Sequence, residues 1–199
     1  MSGEPDISTV EVSVLISLGS NIEPEVNLTA AVERVADVLQ VVAASRVFVS
    51  AAVAEGPISR SMPEFLNAAV EIMTDLSAAD LKYGVLRDVE AHLGRRRGSD
   101  RNAPRPIDLD IALYGDEVIE SEPLGLQVPD PEILTRAHVA GPLADLAPER
   151  VHPVTGDSLS VIATRLGAVA EKGGIRPAAR SGLIRGFLDR DRRSSDPHR

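Results

Sequence analysis

Apolar and polar residues alternate along four segments of the chain, and this period of two predicts four strands. The segments are Val10–Leu18, Val41–Val53, Phe65–Met73 and Ile107–Leu113. Two further segments carry apolar residues three or four positions apart, which predicts helices. One starts at Pro24 and ends near Leu39. The other is capped by Ser77 and ends near Leu93.

The order of these elements is strand, helix, strand, strand, helix, strand. This order predicts an α+β fold of the ferredoxin-like type, an antiparallel sheet with the two helices packed on one face. In the last strand the alternation should place four aliphatic residues on one face and two carboxylates on the other. The aliphatic residues are Ile107, Leu109, Ile111 and Leu113, and the carboxylates are Asp108 and Asp110.

The remaining third of the chain predicts a helical extension. We expect a short strand at Val118-Ile119, short helical stretches at 131–136 and 142–146, and a last helix at 158–169. Gly, Arg and Asp dominate beyond this point. We therefore predict one domain at 10–172 and a disordered polar tail at 173–199.

Composition excludes several classes of protein. The chain has 199 residues, a net charge of −9 and no cysteine. The negative charge disfavours binding to nucleic acid, and the lack of cysteine excludes disulfides and thiolate sites. We find neither a secretory signal nor an apolar stretch near the ~18 residues of a membrane span. We expect a cytoplasmic monomer.

One loop is strongly basic in this acidic chain. Its arginines lie just before the two carboxylates and are Arg95, Arg96, Arg97, Arg101 and Arg105. Two carboxylates on one strand face can bind magnesium, and guanidinium groups bind phosphates in bidentate fashion. A bare pair of aspartates more often forms a solvated strand face, and a run of arginines is often only solvated. Together, however, the two features indicate phosphoryl transfer from a nucleotide.

The segment Arg101–Ile111, RNAPRPIDLDI, resembles the signature of the 6-hydroxymethyl-7,8-dihydropterin pyrophosphokinase family. Three further segments follow in that family's order: Leu18–Asn21, Phe65–Val70, and the helix end from Glu90 to Arg97. The resemblance covers roughly 12–166. It implies transfer of pyrophosphate from ATP to the hydroxymethyl group of the pterin, giving AMP and a precursor of folate.

The resemblance also implies roles for single residues. Two magnesium ions would be held by Asp108 and Asp110, and ATP would be the co-substrate. The remaining roles fall into three sets: Arg95 and Arg105 as catalytic-loop arginines; Glu90, Arg97 and Arg136 at the ATP site; and Phe65, Asn67 and His138 at the pterin. Phe65 could equally be a core residue. Asn67 could instead bond to backbone, and Asn21 could simply form a turn.

Several positions depart from the family's pattern. His138 stands where a second stacking aromatic is expected, Asp130 where a histidine is expected, and Asn102 where an aromatic is expected. The family's pterin loop is usually rich in threonine and proline, but the corresponding segment here, Ala52–Gly56, reads AVAEG. These departures motivate an alternative, a catalytically weak paralogue that binds nucleotide or pterin as a regulatory module. A third possibility is a ferredoxin-like domain whose two aspartates are only a surface pair.

Overall fold

The structure is a computed structural model and describes residues 10–52, 63–96, 103–168, 174–179 and 184. The strands are β1 (Val12–Ser20), β2 (Gln40–Ala44), β3 (Phe48–Ser50), β4 (Phe65–Thr74), β5 (Asp108–Tyr114), β6 (Ile119–Ser121), β7 (Leu126–Val128) and β8 (Ile175–Pro177). The helices are α1 (Pro24–Ala36), α2 (Ala78–Asp80), a π-helical segment (Leu81–Leu86), α3 (Arg87–His92), a 3-10 turn (Pro131–Leu134), α4 (Ala137–Leu146) and α5 (Leu159–Arg165).

One sheet with the order β5-β1-β4-β3-β8 organises the molecule, and β2 also pairs with β4. All of its pairings are antiparallel. Strands β6 and β7 form a separate hairpin. The ferredoxin-like arrangement predicted from the order of elements is confirmed.

Each face of the sheet has its own hydrophobic core. On the first face, α1 and the helix formed by α2, the π-helical segment and α3 pack on the sheet, through fully buried residues such as Leu28 and Leu86. On the second face, α4 and α5 of the C-terminal extension pack on the sheet through Leu143 and Ile162. The two carboxylates predicted to bind metal project from this second face, since Leu109 between them packs in the first core.

The prediction that Leu113 shares a face with Ile107 is wrong. The register between β1 and β5 shifts between Leu15 and Ile16, with Ala112 as the extra residue of a bulge. Leu113 therefore turns to the second face and packs in the core that contains Leu15. A bulge reverses the alternation beyond it, and the apolar pattern alone does not reveal it.

The second predicted strand is divided in two. The break between β2 and β3 places Ser45 so that its hydroxyl accepts a hydrogen bond from the amide of Ala69 at 2.8 Å. Ser45 is fully buried, so this bond compensates for its removal from water. The short β3 then pairs with the start of β4.

The C-terminal third differs from the prediction in its limits. Helix α4 begins at Ala137, five residues before the start at Pro142 that the sequence predicts, and the sequence does not predict β7. Within the predicted tail, Ile175–Pro177 forms β8 against β3, and Ile184 is buried, so for these residues disorder was the wrong prediction. The rest of the predicted tail lies outside the described residues.

Among the described residues no helix has the length and apolar character that crossing a membrane requires.

Candidate active site

Asp108 and Asp110 are the first and third residues of β5 and project from the second face of the sheet. Leu109 between them is fully buried in the core of the first face. The side chains of Asp108 and Asp110 are 24% and 46% exposed. The alternation that places both carboxylates on one face is thus as predicted.

Two arginines bind the carboxylate of Asp108. Arg95 Nη1 lies 2.7 Å from Asp108 Oδ1, and Arg105 Nη1 donates a hydrogen bond to Oδ2. Arg95 also donates to the carbonyl of Ile107 at 2.7 Å. The structure therefore brings the two predicted catalytic arginines onto one predicted metal ligand. Arg97, predicted at the ATP site, lies outside the described residues.

The free edge of β5 is covered by side chains rather than by another strand. The amide of Leu109 donates to Glu90 Oε1 at 2.9 Å, and its carbonyl accepts from Lys82 Nζ at 2.7 Å. Glu90 is only 2% exposed, and its Oε2 lies 3.8 Å from Arg95. Lys82 also donates to the carboxylate of Asp110. The backbone between the two aspartates is therefore fixed from outside the sheet.

Glu90 was predicted at the ATP site, and its burial and its bond to Leu109 favour a positioning role. Lys82 was not predicted at all. It lies in the π-helical segment, whose wider turn alters the direction of its side chains relative to an α-helix. The one available signal was its rarity, because Lys82 and Lys172 are the only lysines in the sequence.

The turn after β1 holds the end of the arginine-rich loop. The side-chain oxygen of Asn21, Oδ1, accepts a hydrogen bond from the backbone amide of Arg105 at 2.7 Å. The backbone amide of Asn21 donates to the carbonyl of Arg105 at 3.2 Å. Ser20 donates its hydroxyl to the carbonyl of Pro106. Asn21 is 4% exposed, and its Nδ2 has no partner among the described residues. Asn21 therefore does more than form a turn, since it fixes the backbone of a predicted catalytic arginine.

A cross-strand row links the carboxylates to the predicted pterin residues. Gly19 pairs with Asp108 on one side and with Asn67 on the other. A side chain at Gly19 would point between Asn67 Oδ1 and the ring of Phe65, 3.6 and 3.9 Å from a Cβ placed there. Two strand spacings separate Asp108 from Asn67, or roughly 10 Å. Gly19 itself places no side chain between them.

Phe65 and Asn67 both lie at this end of β4. Phe65 is half-buried, and Asn67 is 4% exposed. Asn67 Nδ2 donates to Ser50 Oγ at 2.9 Å, which fixes the orientation of the amide. The alternative that Asn67 bonds to backbone applies only weakly, through a 3.5 Å contact with the carbonyl of Phe48.

A cleft of about 330 Å³ lies beside this row. Ser50 lines it and so connects it to Asn67, and Arg136 and His138 also line it. Burial, with a smaller contribution from the positive Arg136, lowers the pKa of His138 to about 4. His138 is therefore neutral at pH 7 and presents an uncharged ring to the cleft.

Asp130, at the expected histidine position, caps the 3-10 turn by accepting the amide of Glu132 at 2.8 Å. Burial raises the pKa of Asp130 to about 6. The neighbouring charge of Asp110 also raises it, and Lys82 acts in the opposite direction. Asp130 therefore shares the electrostatic surroundings of the carboxylates without a direct contact to them.

The donor set suits magnesium. The described residues contain no cluster of three or more His, Cys, Asp or Glu that could hold a metal by themselves. Magnesium is commonly held by one or two carboxylates, with substrate phosphates and water completing its shell. Two aspartates on one strand face, next to phosphate-binding arginines, match that pattern.

Comparison with known proteins identifies relatives. The family model for 7,8-dihydro-6-hydroxymethylpterin-pyrophosphokinase matches residues 15–148. The 2-amino-4-hydroxy-6-hydroxymethyldihydropteridine pyrophosphokinase of Pseudomonas aeruginosa is 36% identical over 140 residues, which are 68% of this chain and 81% of that protein. The protein of the same name from Aquifex aeolicus is 31% identical over 143 residues, 71% of this chain and 84% of its own.

Longer proteins also match. The folic acid synthesis protein fol1 of Pneumocystis carinii is 35% identical over 150 residues, and these span 74% of this chain but only 19% of that protein. The solved structure of wild-type Plasmodium falciparum HPPK-DHPS superimposes with a TM-score of 0.63 at 13% identity, over 84% of this chain and 48% of its own. This structural likeness supports the fold.

Proposed function

The chain belongs to the 7,8-dihydro-6-hydroxymethylpterin-pyrophosphokinase family, and from that premise we propose that it transfers pyrophosphate from ATP to 6-hydroxymethyl-7,8-dihydropterin. The hydroxymethyl oxygen forms a bond to the β-phosphorus of ATP. The bond from that phosphorus to the oxygen bridging to the α-phosphorus breaks, and AMP leaves with that oxygen while the hydroxyl loses its proton. The products, AMP and the pterin pyrophosphate, place the reaction in folate biosynthesis.

Asp108 and Asp110 would hold magnesium, and we propose two ions as the family resemblance implies. Magnesium, when bound, neutralises the phosphate chain and the charge that develops during transfer. Asp110 is the more exposed of the two carboxylates, and Asp108 is the one already bound by two guanidinium groups. The protein therefore supplies a negative site for the metal beside a positive site for phosphate.

Arg105 and Arg95 would stabilise the charge on the transferred group. Arg105 is 22% exposed and fixed through its backbone by Asn21, so its guanidinium is held beside the carboxylates. Arg95 is 13% exposed and contacts both Asp108 and the edge of β5. Both guanidinium groups are therefore fixed in position before the reaction, and electrostatic catalysis requires such preorganised charges.

Asn67 would read the polar edge of the pterin while Phe65 stacks on its ring. The roughly 10 Å between Asn67 and Asp108 is comparable to the length of a bicyclic ring that carries a one-carbon arm. Gly19 adds no side chain beside Asn67 and Phe65, where the ring would lie. The neutral His138 would close the site from the cleft side.

Arg136 and Arg97 would contact ATP, with Arg136 exposed at the start of α4. For Glu90 we propose an indirect role in nucleotide binding, through the edge of β5. A cytoplasmic location stays a prediction from the sequence.

The observation that supports the proposal most is the row that runs from Asn67 over Gly19 to Asp108, because it places the proposed pterin contact in register with the proposed metal ligand. The test is AMP release from ATP and magnesium, with and without 6-hydroxymethyl-7,8-dihydropterin. We expect AMP only when the pterin is present. AMP formation that does not depend on the pterin would contradict the proposal.

The departures at His138 and Asp130 are the observation that favours the second candidate, a regulatory module that binds without turnover. The same assay separates the two, since the module would give no AMP but would still be stabilised by ligand. If magnesium and ATP failed to raise the melting temperature at all, the pair of aspartates would be only a surface feature.

A further inference from the structure

Lys82 contacts the carboxylate of a proposed metal ligand, although no sequence pattern assigned it to the site. Its side chain is 12% exposed and reaches around the free edge of β5. Its Nζ donates to the carbonyl of Leu109 at 2.7 Å and to the carboxylate of Asp110. The ammonium is therefore tethered to the backbone as well as paired with the aspartate.

The type of this residue suits the position. The chain carries 21 basic residues, of which only Lys82 and Lys172 are lysines. An ammonium is a compact point charge that can direct three protons to separate acceptors, whereas the planar fork of arginine favours two acceptors side by side. A backbone carbonyl and a carboxylate oxygen on successive residues are separate acceptors, which a lysine can satisfy together.

The charge balance of the site depends on this ammonium. Arg95 and Arg105 compensate Asp108, whereas Lys82 contacts Asp110. Lys82 also acts on the more distant Asp130. Without it, the repulsion between Asp110 and Asp130 would lose the positive charge that opposes it.

We propose that Lys82 is a positioning residue of the metal site, which holds the carboxylate of Asp110 in place and weakens metal binding in the absence of nucleotide. This inference rests on the proposed role of Asp110 as a metal ligand. A positive charge tethered beside that carboxylate competes for its oxygens and repels an incoming divalent cation. The negative phosphates of ATP offset this repulsion when they arrive.

Metal and nucleotide should then bind cooperatively, and the coupling between them should depend on the charge of Lys82. Coupling is reciprocal, so each ligand should raise the affinity of the protein for the other by the same factor. A site of this kind takes up its metal with ATP instead of holding it beforehand.

The test measures Mn²⁺ binding by electron paramagnetic resonance, with and without the non-hydrolysable analogue α,β-methylene-ATP. In Lys82→Met the affinity for Mn²⁺ alone should rise by about tenfold, and the enhancement by the analogue should shrink by the same factor. Lys82→Gln keeps an amide donor for Leu109, so it guards against misfolding of the first variant, and it should show the same change. Lys82→Arg keeps the charge and should stay within about twofold of wild type.

Arg34→Met is the matched control, because it removes one positive charge from the exposed last turn of α1. It should leave Mn²⁺ affinity unchanged. If both neutral variants at Lys82 also left it unchanged, or if either weakened it, the inference would be overturned. If the wild type gave no pterin-dependent AMP while the neutral Lys82 variants bound Mn²⁺ more tightly, the proposed reaction would be refuted and the role of Lys82 would still be supported.

Discussion

At the scale of single residues, the two aspartates are held in different ways. Asp108 binds two guanidinium groups and is 24% exposed, whereas Asp110 binds one ammonium and is 46% exposed. Asp108 therefore also stabilises the ordered start of β5. Asp110 contributes less to the stability of the strand, so metal binding would be its main role. Substitutions at the two positions should reduce activity to a similar extent but should change the stability of the protein differently.

Asp110→Asn and Asp108→Asn should each lower turnover by about a thousandfold or more, because a neutral amide is a poor magnesium ligand. Asp108→Asn should also lower the midpoint of thermal unfolding, since it leaves two guanidinium groups without their carboxylate. The measurements are AMP release at saturating ATP and magnesium, and circular dichroism. Production of AMP at the wild-type rate by either variant would refute the metal assignment.

Substitutions of the two catalytic-loop arginines should also differ in their effect on stability. Arg105→Ala should slow turnover by about a hundredfold with little change in stability. Arg95→Ala should slow it similarly and also lower the free energy of unfolding, because Arg95 additionally binds the carbonyl of Ile107. Steady-state kinetics and urea denaturation distinguish them. A change in pterin affinity alone, with turnover intact, would show that the loop has been assigned the wrong role.

At the scale of elements, the edge of β5 decides how the site is built. An edge strand presents unpaired amide and carbonyl groups, and here side chains from the adjoining helix satisfy those of Leu109. Glu90 accepts a hydrogen bond from the amide of Leu109, and Lys82 donates one to its carbonyl. The geometry of the two aspartates therefore depends on a helix on the other face of the sheet.

Substitution of Glu90 tests this dependence. Glu90→Ala should lower the free energy of unfolding by about 1–3 kcal/mol, because it leaves a buried amide without a partner. It should reduce kcat more than it raises KM for ATP. Glu90→Gln keeps an acceptor for that amide and is the control, with stability nearer wild type. A rise in KM for ATP at unchanged stability would instead indicate direct contact between Glu90 and the nucleotide.

How much of this could be predicted depends on whether a feature is periodic. The alternation around Asp108 and Asp110 placed both carboxylates correctly, and the order of elements predicted the sheet. The bulge at Ala112 and the break after Ala44 were missed, because each inserts residues without disturbing local composition. Lys82 and the hold of Asn21 on Arg105 were missed since both arise from contacts distant in sequence.

At the scale of the whole molecule, the site lies where two layers meet at one end of the sheet. The helix on the first face contributes Glu90 and Lys82 around the edge of β5, and the extension on the second face contributes Asp130 and His138. Burial in the second layer shifts the pKa of both of these last residues, but with opposite consequences for stability.

His138 has its pKa lowered from 6.5 to about 4, so between these values the unfolded chain binds more protons and stability falls as the pH falls. Asp130 has its pKa raised from 3.8 to about 6, so in that window the folded protein binds more protons. Its contribution therefore falls as the pH rises. The two contributions largely oppose each other between pH 4 and 6, and the wild-type profile conceals both.

Substitution should reveal each contribution by itself. His138→Gln removes the penalty for keeping a neutral imidazole at low pH. Relative to wild type, the variant should therefore be more stable at pH 4.5 than at pH 7.5, by about 1–3 kcal/mol. Asp130→Asn keeps a capping oxygen for the amide of Glu132 and should show the reverse, a relative gain at pH 7.5. Urea denaturation at the two pH values measures both differences. A His138→Gln difference that does not change with pH would mean that the imidazole titrates normally and is not buried against the cleft, and its place beside the pterin would then have to be abandoned.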